Sequence, residues 1–186
     1  MGQPVEAGSL LVASVGLSDG VFDQTVVLLL DADESGSLGV VLNRVASIDV
    51  GAALPQWADL LAEPAVMFAG GPVSPNGAIC LAAPSFPDEE PPGWRRLFGQ
   101  VGLLHLDTPV ELAEGAYDDL RVYAGYAGWA PGQLQGELLR GMWHVVPSHY
   151  EDVFDSDPET LWRRVLRRQR GEVSVFSTWT AEPEEN

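Results

Sequence analysis

The prediction of the fold class starts from residues 25–43, which read TVVLLLDADESGSLGVVLN. TVVLLL, at residues 25–30, is an unbroken run of β-branched and other apolar residues, which is typical of a strand buried on both faces. The polar residues 31–36 favour a turn, and residues 37–43 return as a second strand. The economical prediction is therefore a β-hairpin.

Further strands and helices are predicted on both sides of this hairpin. Strand patterns cover residues 8–14, 65–69, 77–82, 101–106, 120–127 and 142–146. Helix patterns cover residues 49–62 (kinked or restarted at Pro55), 108–115, 131–140, 148–154 and 156–169, and residues 171–186 read as a short strand and a tail. Because the two kinds of element are mixed without a steady βαβ alternation, we expect an α+β fold with a curved, mixed sheet.

The length of 186 residues, with 46% hydrophobic residues, suits one compact domain over residues 1–186, which can have two lobes. Residues 84–93 hold four prolines and three acidic residues, so residues 83–93 are expected to form an exposed, acidic, proline-rich loop. Residues 180–186 are expected to form a tail.

Charge and cysteine content exclude several classes of protein. All ten basic residues are arginine, and the net charge of −17 repels phosphate backbones, which disfavours non-specific nucleic-acid binding. The single cysteine, Cys80, rules out an intramolecular disulfide or a CxxC pair. No apolar run reaches the ~18–20 residues of a membrane helix, and no basic segment precedes the apolar N-terminal run. We expect a cytoplasmic protein without a membrane segment.

The sequence lacks complete motifs for binding a metal ion, a phosphate group or a cofactor. Residues 31–36 imitate the start of a calcium loop, but its twelfth position is Leu42 where an acidic ligand is needed. Zinc-binding histidine pairs and the lysine of a P-loop are also missing. We expect neither a metal site nor a cofactor.

Four sequence motifs, in this order and spacing, resemble the AlgH/YqgE family of bacterial proteins. They are GxLLVA (8–13), FxxTVVLL with GxxGVVLNR (22–44), GGPV (70–73), and GYAGW followed by Gln133, Leu134 and Glu137 (125–137). The resemblance implies a compact α/β structure whose sheet curls into a partial barrel with helices packed outside. It implies no established activity, although the label of a transcriptional regulator accompanies the family.

Candidate binding residues lie where predicted strands end. Asn43 and Arg44 close a buried strand, and the arginine could pair with a carboxylate or phosphate, or form a structural salt bridge. Gly70 and Gly71 could present backbone N–H groups to an anion, or simply make a turn that only glycine can make.

A second set of candidates lies around the GYAGW motif. Trp129 offers an aromatic wall, and Gln133 and Glu137 share one helical face. The structural alternative is a packed corner between sheet and helix, with Gln133 and Glu137 bonding to nearby backbone.

An arginine stripe offers an alternative interface, since residues 163–170 hold five of the ten cations. Arg163, Arg164, Arg167 and Arg168 share one face of a predicted helix, a pattern that can bind nucleic acid or an acidic partner. It is also the pattern of a solvated face whose cations offset nearby acids.

The residues therefore favour a non-enzymatic binding or regulatory protein that acts through an unknown protein partner or a small ligand. Direct DNA binding through the arginine stripe is the alternative. An enzyme, of hydrolase type, that uses His149 or Glu137 as a general base ranks third, because no nucleophile is paired with either; no catalytic residue is assigned. The sequence leaves the oligomeric state open.

Overall fold

The computed structural model describes residues 4–169 and 171–178. Its strands are β1 (Leu10–Ala13), β2 (Val26–Asp33), β3 (Gly36–Val41), β4 (Phe68–Ala69), β5 (Val73–Pro84), β6 (Trp94–Phe98), β7 (Val101–Leu104), β8 (Tyr117–Trp129) and β9 (Trp143–Val146). Its α-helices are α1 (Val50–Ala53), α2 (Val110–Ala113), α3 (Gln133–Leu139), α4 (Tyr150–Phe154), α5 (Leu161–Arg167) and α6 (Glu172–Val175), and three short 3₁₀ turns accompany them. The α+β prediction is confirmed.

The described strands form one open sheet with the order β6-β7-β5-β8-β3-β2-β1-β9. All of these neighbours are antiparallel, and the short β4 adds a parallel pairing with β8. The long strand β8 joins the two halves of the sheet, because β5 pairs along most of it while β3 pairs only with its last residues.

The predicted hairpin of residues 25–43 is formed by β2 and β3. Side chains of β2 alternate between two core clusters, with Val26 and Leu28 in one and Val27 and Leu29 in the other. Since all four are fully buried, the prediction of a strand covered on both faces is confirmed.

The sheet curls so that edge strand β6 approaches the segment just before β1, near the opposite end of the sheet. A Cβ placed on Gly8, just before β1, would lie 3.0 Å from the carbonyl oxygen of Leu97 in edge strand β6. The apolar cluster inside this curve includes residues of both halves, such as Leu28 and Leu81, and it also takes in Trp162 of α5. The indole of Trp162 donates to the carbonyl of Ala13 at 2.8 Å, which attaches the helix to β1.

Several predicted element boundaries were wrong. Helix α1 is shorter than expected because Pro55 follows its C-cap, while Asp49 does cap it as predicted by accepting from the N–H of Gly51. Strand β6 was missed, because its sequence WRRLF carries two charged residues. The predicted proline-rich loop begins later than residue 83, since Ala83 and Pro84 are buried in β5.

The C-terminal predictions also need correction. Residues 172–175 form α6 rather than a strand, and the helix predicted over residues 156–169 begins with a 3₁₀ turn at Pro158–Thr160 that leads into α5. The tail expected at residues 180–186 lies outside the described residues. None of the helices in the described part of the chain has the length and apolar character needed to cross a membrane.

A buried arginine that no sequence motif marks, Arg121, joins β8 to its surroundings. Arg121 is only 2% exposed, and its guanidinium donates to the carbonyl oxygens of Val153 and Glu63, at 2.5 and 2.7 Å. It also lies over the ring of Phe68, 4.5 Å from the centroid. Burial lowers the pKa of Arg121, the expected cost of placing a charge in the core.

Candidate functional site

Asn43 serves the local structure of the hairpin. Its side-chain oxygen accepts from the backbone N–H of Val26 at 3.0 Å, and its side-chain amide donates to the carbonyl of Gln24 at 2.9 Å. Both bonds hold the segment that enters β2 against the end of β3. The hydrogen-bonding groups of this side chain are therefore engaged within the protein.

Arg44 is bound to the same entering segment. Its guanidinium donates to the carbonyl oxygens of Val21 and Asp23, and one nitrogen lies 3.4 Å from the carboxylate of Asp23. The side chain remains 36% exposed. This arrangement is the structural salt bridge that the sequence left as an alternative, with part of the guanidinium still open to solvent.

Gly70 and Gly71 allow three strands to meet closely. The carbonyl of Gly70 accepts from Val41 at 2.8 Å, and its N–H donates to Ala124 at 2.8 Å. A Cβ on Gly71 would lie 2.2 Å from the carbonyl carbon of Tyr126. The pair therefore makes the close backbone approach for which glycine is required.

Arg44 and Gly71 meet at a pocket of about 250 Å³, which we call the Arg44 pocket. Its lining residues come from the loop before β2, the end of β3 and the GGPV turn: Gly20, Val21, Phe22, Val41, Arg44, Ala69, Gly71 and Pro72. Two of the four motif segments, residues 22–44 and 70–73, therefore contribute to the lining of this pocket.

Trp129 does not line the Arg44 pocket. It stacks on Phe22, which does, with 6.3 Å between the ring centroids. The indole Nε1 of Trp129 donates to the Oε2 atom of Glu137 at 2.6 Å. Gln133 accepts from the N–H of Ala130 at 2.9 Å through its side-chain oxygen. Gln133 and Glu137 therefore fasten α3 to the end of β8 and do not line the Arg44 pocket.

The arginine stripe is largely engaged with the protein's own acceptors. Arg164 pairs with Asp155 at 2.7 Å, and Arg168 holds Asp152 through two bonds of 2.6 Å. Arg163 donates to the carbonyl of Ser177 at 2.8 Å. The side chain of Arg167 is exposed, and its guanidinium has no hydrogen bond or ion pair within the part of the chain that the structure describes.

A larger pocket of about 430 Å³, which the sequence did not indicate, opens between the β2–β3 hairpin and strands β5–β7. We call it the cleft pocket. Its lining is Leu30, Asp31, Leu38, Ala78, Ile79, Cys80, Arg95, Leu103, Leu104, His105, Leu106 and Asp107. Strands β2 and β6 are separated by four others in the sheet order, so their residues meet here because the sheet curls. This long-range meeting leaves no local signal in the sequence.

The cleft pocket combines apolar walls with charged side chains. Leu38, Ile79 and Leu103 pack against the core and remain only half-buried. Asp31, Arg95, His105 and Asp107 are exposed. His105, expected inside a strand, instead follows the end of β7, and its backbone N–H donates to the carbonyl of Gly93 at 2.9 Å.

Cys80 lies in the wall of the cleft pocket and is 1% exposed. Burial raises the pKa of its thiol to about 12. The group is therefore a neutral thiol at neutral pH, and it behaves as a small apolar side chain. Among the described residues, no three His, Cys, Asp or Glu side chains are grouped so that they could hold a metal ion.

Comparison with known proteins identifies relatives along nearly the whole chain. The sequence model of a family described as AlgH-like matches residues 10–174. A UPF0301 protein of Streptomyces avermitilis is 52% identical over 182 residues, which cover 96% of this chain and 94% of that protein. A UPF0301 protein of Mycobacterium tuberculosis is 40% identical over 178 residues, covering 95% and 88% of the two chains.

Two solved structures share the fold. A crystal structure of a Corynebacterium diphtheriae protein superposes with a TM-score of 0.90 at 25% identity, covering 96% of this chain and 95% of that one. The solution structure of the AlgH protein from Pseudomonas aeruginosa gives a TM-score of 0.70 at 24% identity, with 98% of each chain covered.

Proposed function

Because the chain belongs to the AlgH-like family and carries the cleft pocket, we propose that it is a non-enzymatic binding protein for a small amphipathic ligand. The supporting observation is a concave space of about 430 Å³ whose lining combines apolar residues with a few charged ones. Sites for small molecules have this combination of size and lining.

The half-buried side chains of Leu38, Ile79 and Leu103 carry the proposal. They extend the core cluster but leave apolar surface facing the pocket, and covering that surface with an apolar ligand group is favourable. The ligand would replace water in contact with these three residues.

The chemistry of the described residues favours binding over catalysis. Cys80 is held as a neutral thiol by burial, so it is a poor nucleophile at neutral pH. The two side chains considered as general bases lie elsewhere, because neither His149 nor Glu137 lines the cleft pocket. The backbone N–H of His149 donates to Asp152 at 2.8 Å, and Glu137 accepts from Trp129.

Binding of the neutral fluorophore N-phenyl-1-naphthylamine tests the proposal. The wild-type protein should enhance its fluorescence in a saturable manner. Ile79→Trp fills the pocket and should abolish most of this enhancement, whereas Leu139→Trp, at a position 90% exposed on α3, should leave it unchanged. Equal enhancement by wild type and Ile79→Trp would contradict the proposal. Circular dichroism spectra of both variants establish that they are folded.

Binding of a protein partner at the Arg44 pocket is a second proposal. Exposed Val21 lines this pocket, and exposed Val45 and Val73 directly follow Arg44 and Pro72 in the chain. Since the Arg44 guanidinium already has three acceptors, a partner would be recognised mainly by apolar contact. A partner captured by wild type should be lost with Val21→Asp and retained with Leu139→Asp.

DNA binding through the arginine stripe has less support, because Arg163, Arg164 and Arg168 donate within the protein. Only Arg167 of the four offers an uncommitted guanidinium among the described residues. An affinity for duplex DNA at ~50 mM salt that falls steeply with added salt would revive this alternative. The cytoplasmic location expected from the sequence stays a prediction.

A further inference from the structure

Asp31 reaches the cleft pocket because of an irregularity in β2. The pairing with β3 shifts between Leu29 and Asp31, so Leu30 is the extra residue of a β-bulge. In a regular strand Leu30 and Asp31 would face opposite sides of the sheet, yet both line this pocket. A bulge can redirect a side chain in this way, and bulges are frequent beside binding sites.

Arg95 reaches the same pocket from edge strand β6, where it pairs with Leu103. Its guanidinium has no hydrogen bond or ion pair within the described part of the chain, although the protein carries a net charge of −17. The next residue, Arg96, donates to the carbonyl oxygens of Gly99 and Pro87 and lies 5.2 Å from the ring centroid of Trp94. Of the two arginines in β6, Arg95 is therefore the one whose guanidinium has no acceptor among the described residues.

Asp31 and Arg95 face one pocket from strands that have four others between them in the sheet order, and they form no ion pair with each other. Asp107 adds a second exposed carboxylate to the lining. A simple anion would meet two carboxylates, and a simple cation would meet Arg95. A ligand with one charge of each sign can be complementary to both sides of the pocket.

We infer that the ligand of the cleft pocket is a small zwitterion with an apolar side chain, such as an apolar amino acid. Its ammonium group lies toward Asp31, its carboxylate toward Arg95, and its apolar side chain toward Leu38, Ile79 and Leu103. This inference rests on the proposed function, because it specifies what occupies the same pocket.

A different role is open to Arg95, because charged residues on edge strands also prevent unwanted pairing with other chains. That role requires no ligand and no contribution from Asp31. The two roles therefore differ in whether substitution of Arg95 changes the choice among ligands.

Titration calorimetry of the 186-residue protein tests the inference with three compounds that share the same phenylethyl group: L-phenylalanine, phenethylamine and 3-phenylpropionate. L-Phenylalanine should bind at least about tenfold more tightly than either compound that lacks one charge, since it alone can make a charge-assisted hydrogen bond on each side of the pocket. Asp31→Asn should abolish the preference for L-phenylalanine over 3-phenylpropionate. Arg95→Gln should abolish the preference over phenethylamine, and Arg96→Gln, beside it on the exposed edge strand, should change neither.

The outcomes separate this inference from the proposed function. If N-phenyl-1-naphthylamine binds but L-phenylalanine binds no more tightly than its singly charged analogues, the inference of a zwitterionic ligand is wrong. The proposal of a small-molecule binding pocket is then unaffected. A preference that survives both Asp31→Asn and Arg95→Gln also overturns the inference. If the fluorophore and all three compounds fail to bind, the proposed function fails with it.

Discussion

Trp129 and Glu137 are hydrogen-bonded to each other, from the indole Nε1 to the carboxylate Oε2 at 2.6 Å. Trp129 ends β8 and Glu137 lies in α3, so the bond fixes the corner between sheet and helix. The indole also lies 6.1 Å from that of Trp143, measured between ring centroids. Two residues whose pattern suggested a ligand site are therefore part of the framework.

Removal of the Glu137 carboxylate should destabilise this corner. Glu137→Ala leaves the buried indole N–H without its acceptor, and we expect a loss of about 1–3 kcal/mol in the free energy of unfolding. Urea denaturation measures the change, and Glu137→Gln, which keeps an acceptor oxygen, should lose less. Gln135→Ala, an exposed position of the same helix, serves as the control. Equal stability of all three variants would show that the bond contributes nothing.

Arg121 should be required for a stable fold. Arg121→Met removes the donors to the carbonyl oxygens of Val153, Asp155 and Glu63, and each buried acceptor left unpaired costs about 1–3 kcal/mol. We expect thermal unfolding at a clearly lower temperature, or failure to fold. The exposed Arg140→Met, which loses only a bond to its own helix, should change the free energy of unfolding by less than about 0.5 kcal/mol. A similar loss for both variants would argue against this role.

Two glycine substitutions should have opposite effects on stability. Gly71→Ala places a Cβ 2.2 Å from the carbonyl atoms of Tyr126, and this overpacking should cost at least about 1–3 kcal/mol. Gly136→Ala, inside α3 with open space around it, should add up to about 1 kcal/mol, because alanine favours helix more than glycine does. Chemical denaturation of both variants measures the pair. A Gly71→Ala variant as stable as wild type would show that the backbones separate easily there.

Acidification should weaken the fold in part through His144. Burial lowers its pKa from the ordinary 6.5, so the unfolded chain takes up a proton at a higher pH than the folded protein does. Above about pH 6.5 the imidazole is neutral in both the folded and the unfolded state, and its contribution to the free energy of unfolding is fully present. This contribution is lost as the pH falls through the lower pKa of the folded state. Melting temperatures between pH 8 and 5 should fall more steeply for wild type than for His144→Gln. Parallel curves for the two proteins would exclude a contribution from His144.

Local patterns predicted those elements whose neighbours in sequence are also their neighbours in space. The β2–β3 hairpin follows from an apolar run, a polar turn and a second apolar run, and Asp49 was recognisable as a helix cap. Strand β6 escaped prediction because an edge strand carries Arg95 and Arg96 in place of the apolar alternation of a covered strand. The single domain expected over residues 1–186 stays a prediction.

The candidate site was harder to predict than the fold, because residue type alone does not show which polar groups are already bonded. Arg44 and Gly71 do share a pocket, as their positions at strand ends suggested. Asn43, Gln133 and Glu137 have the same chemical character but bond to nearby backbone or to Trp129. Only their geometry distinguishes a framework group from an available one.

Motif order and short-range apolar periodicity were sufficient to predict the family, the α+β class and the buried central hairpin. The cleft pocket follows only from the tertiary structure. Asp31 and Arg95 are 64 residues apart in the chain, and four strands lie between theirs in the sheet. Their meeting depends on the curl of the whole sheet and on one bulge in β2, and both arise from long-range packing that no local segment encodes.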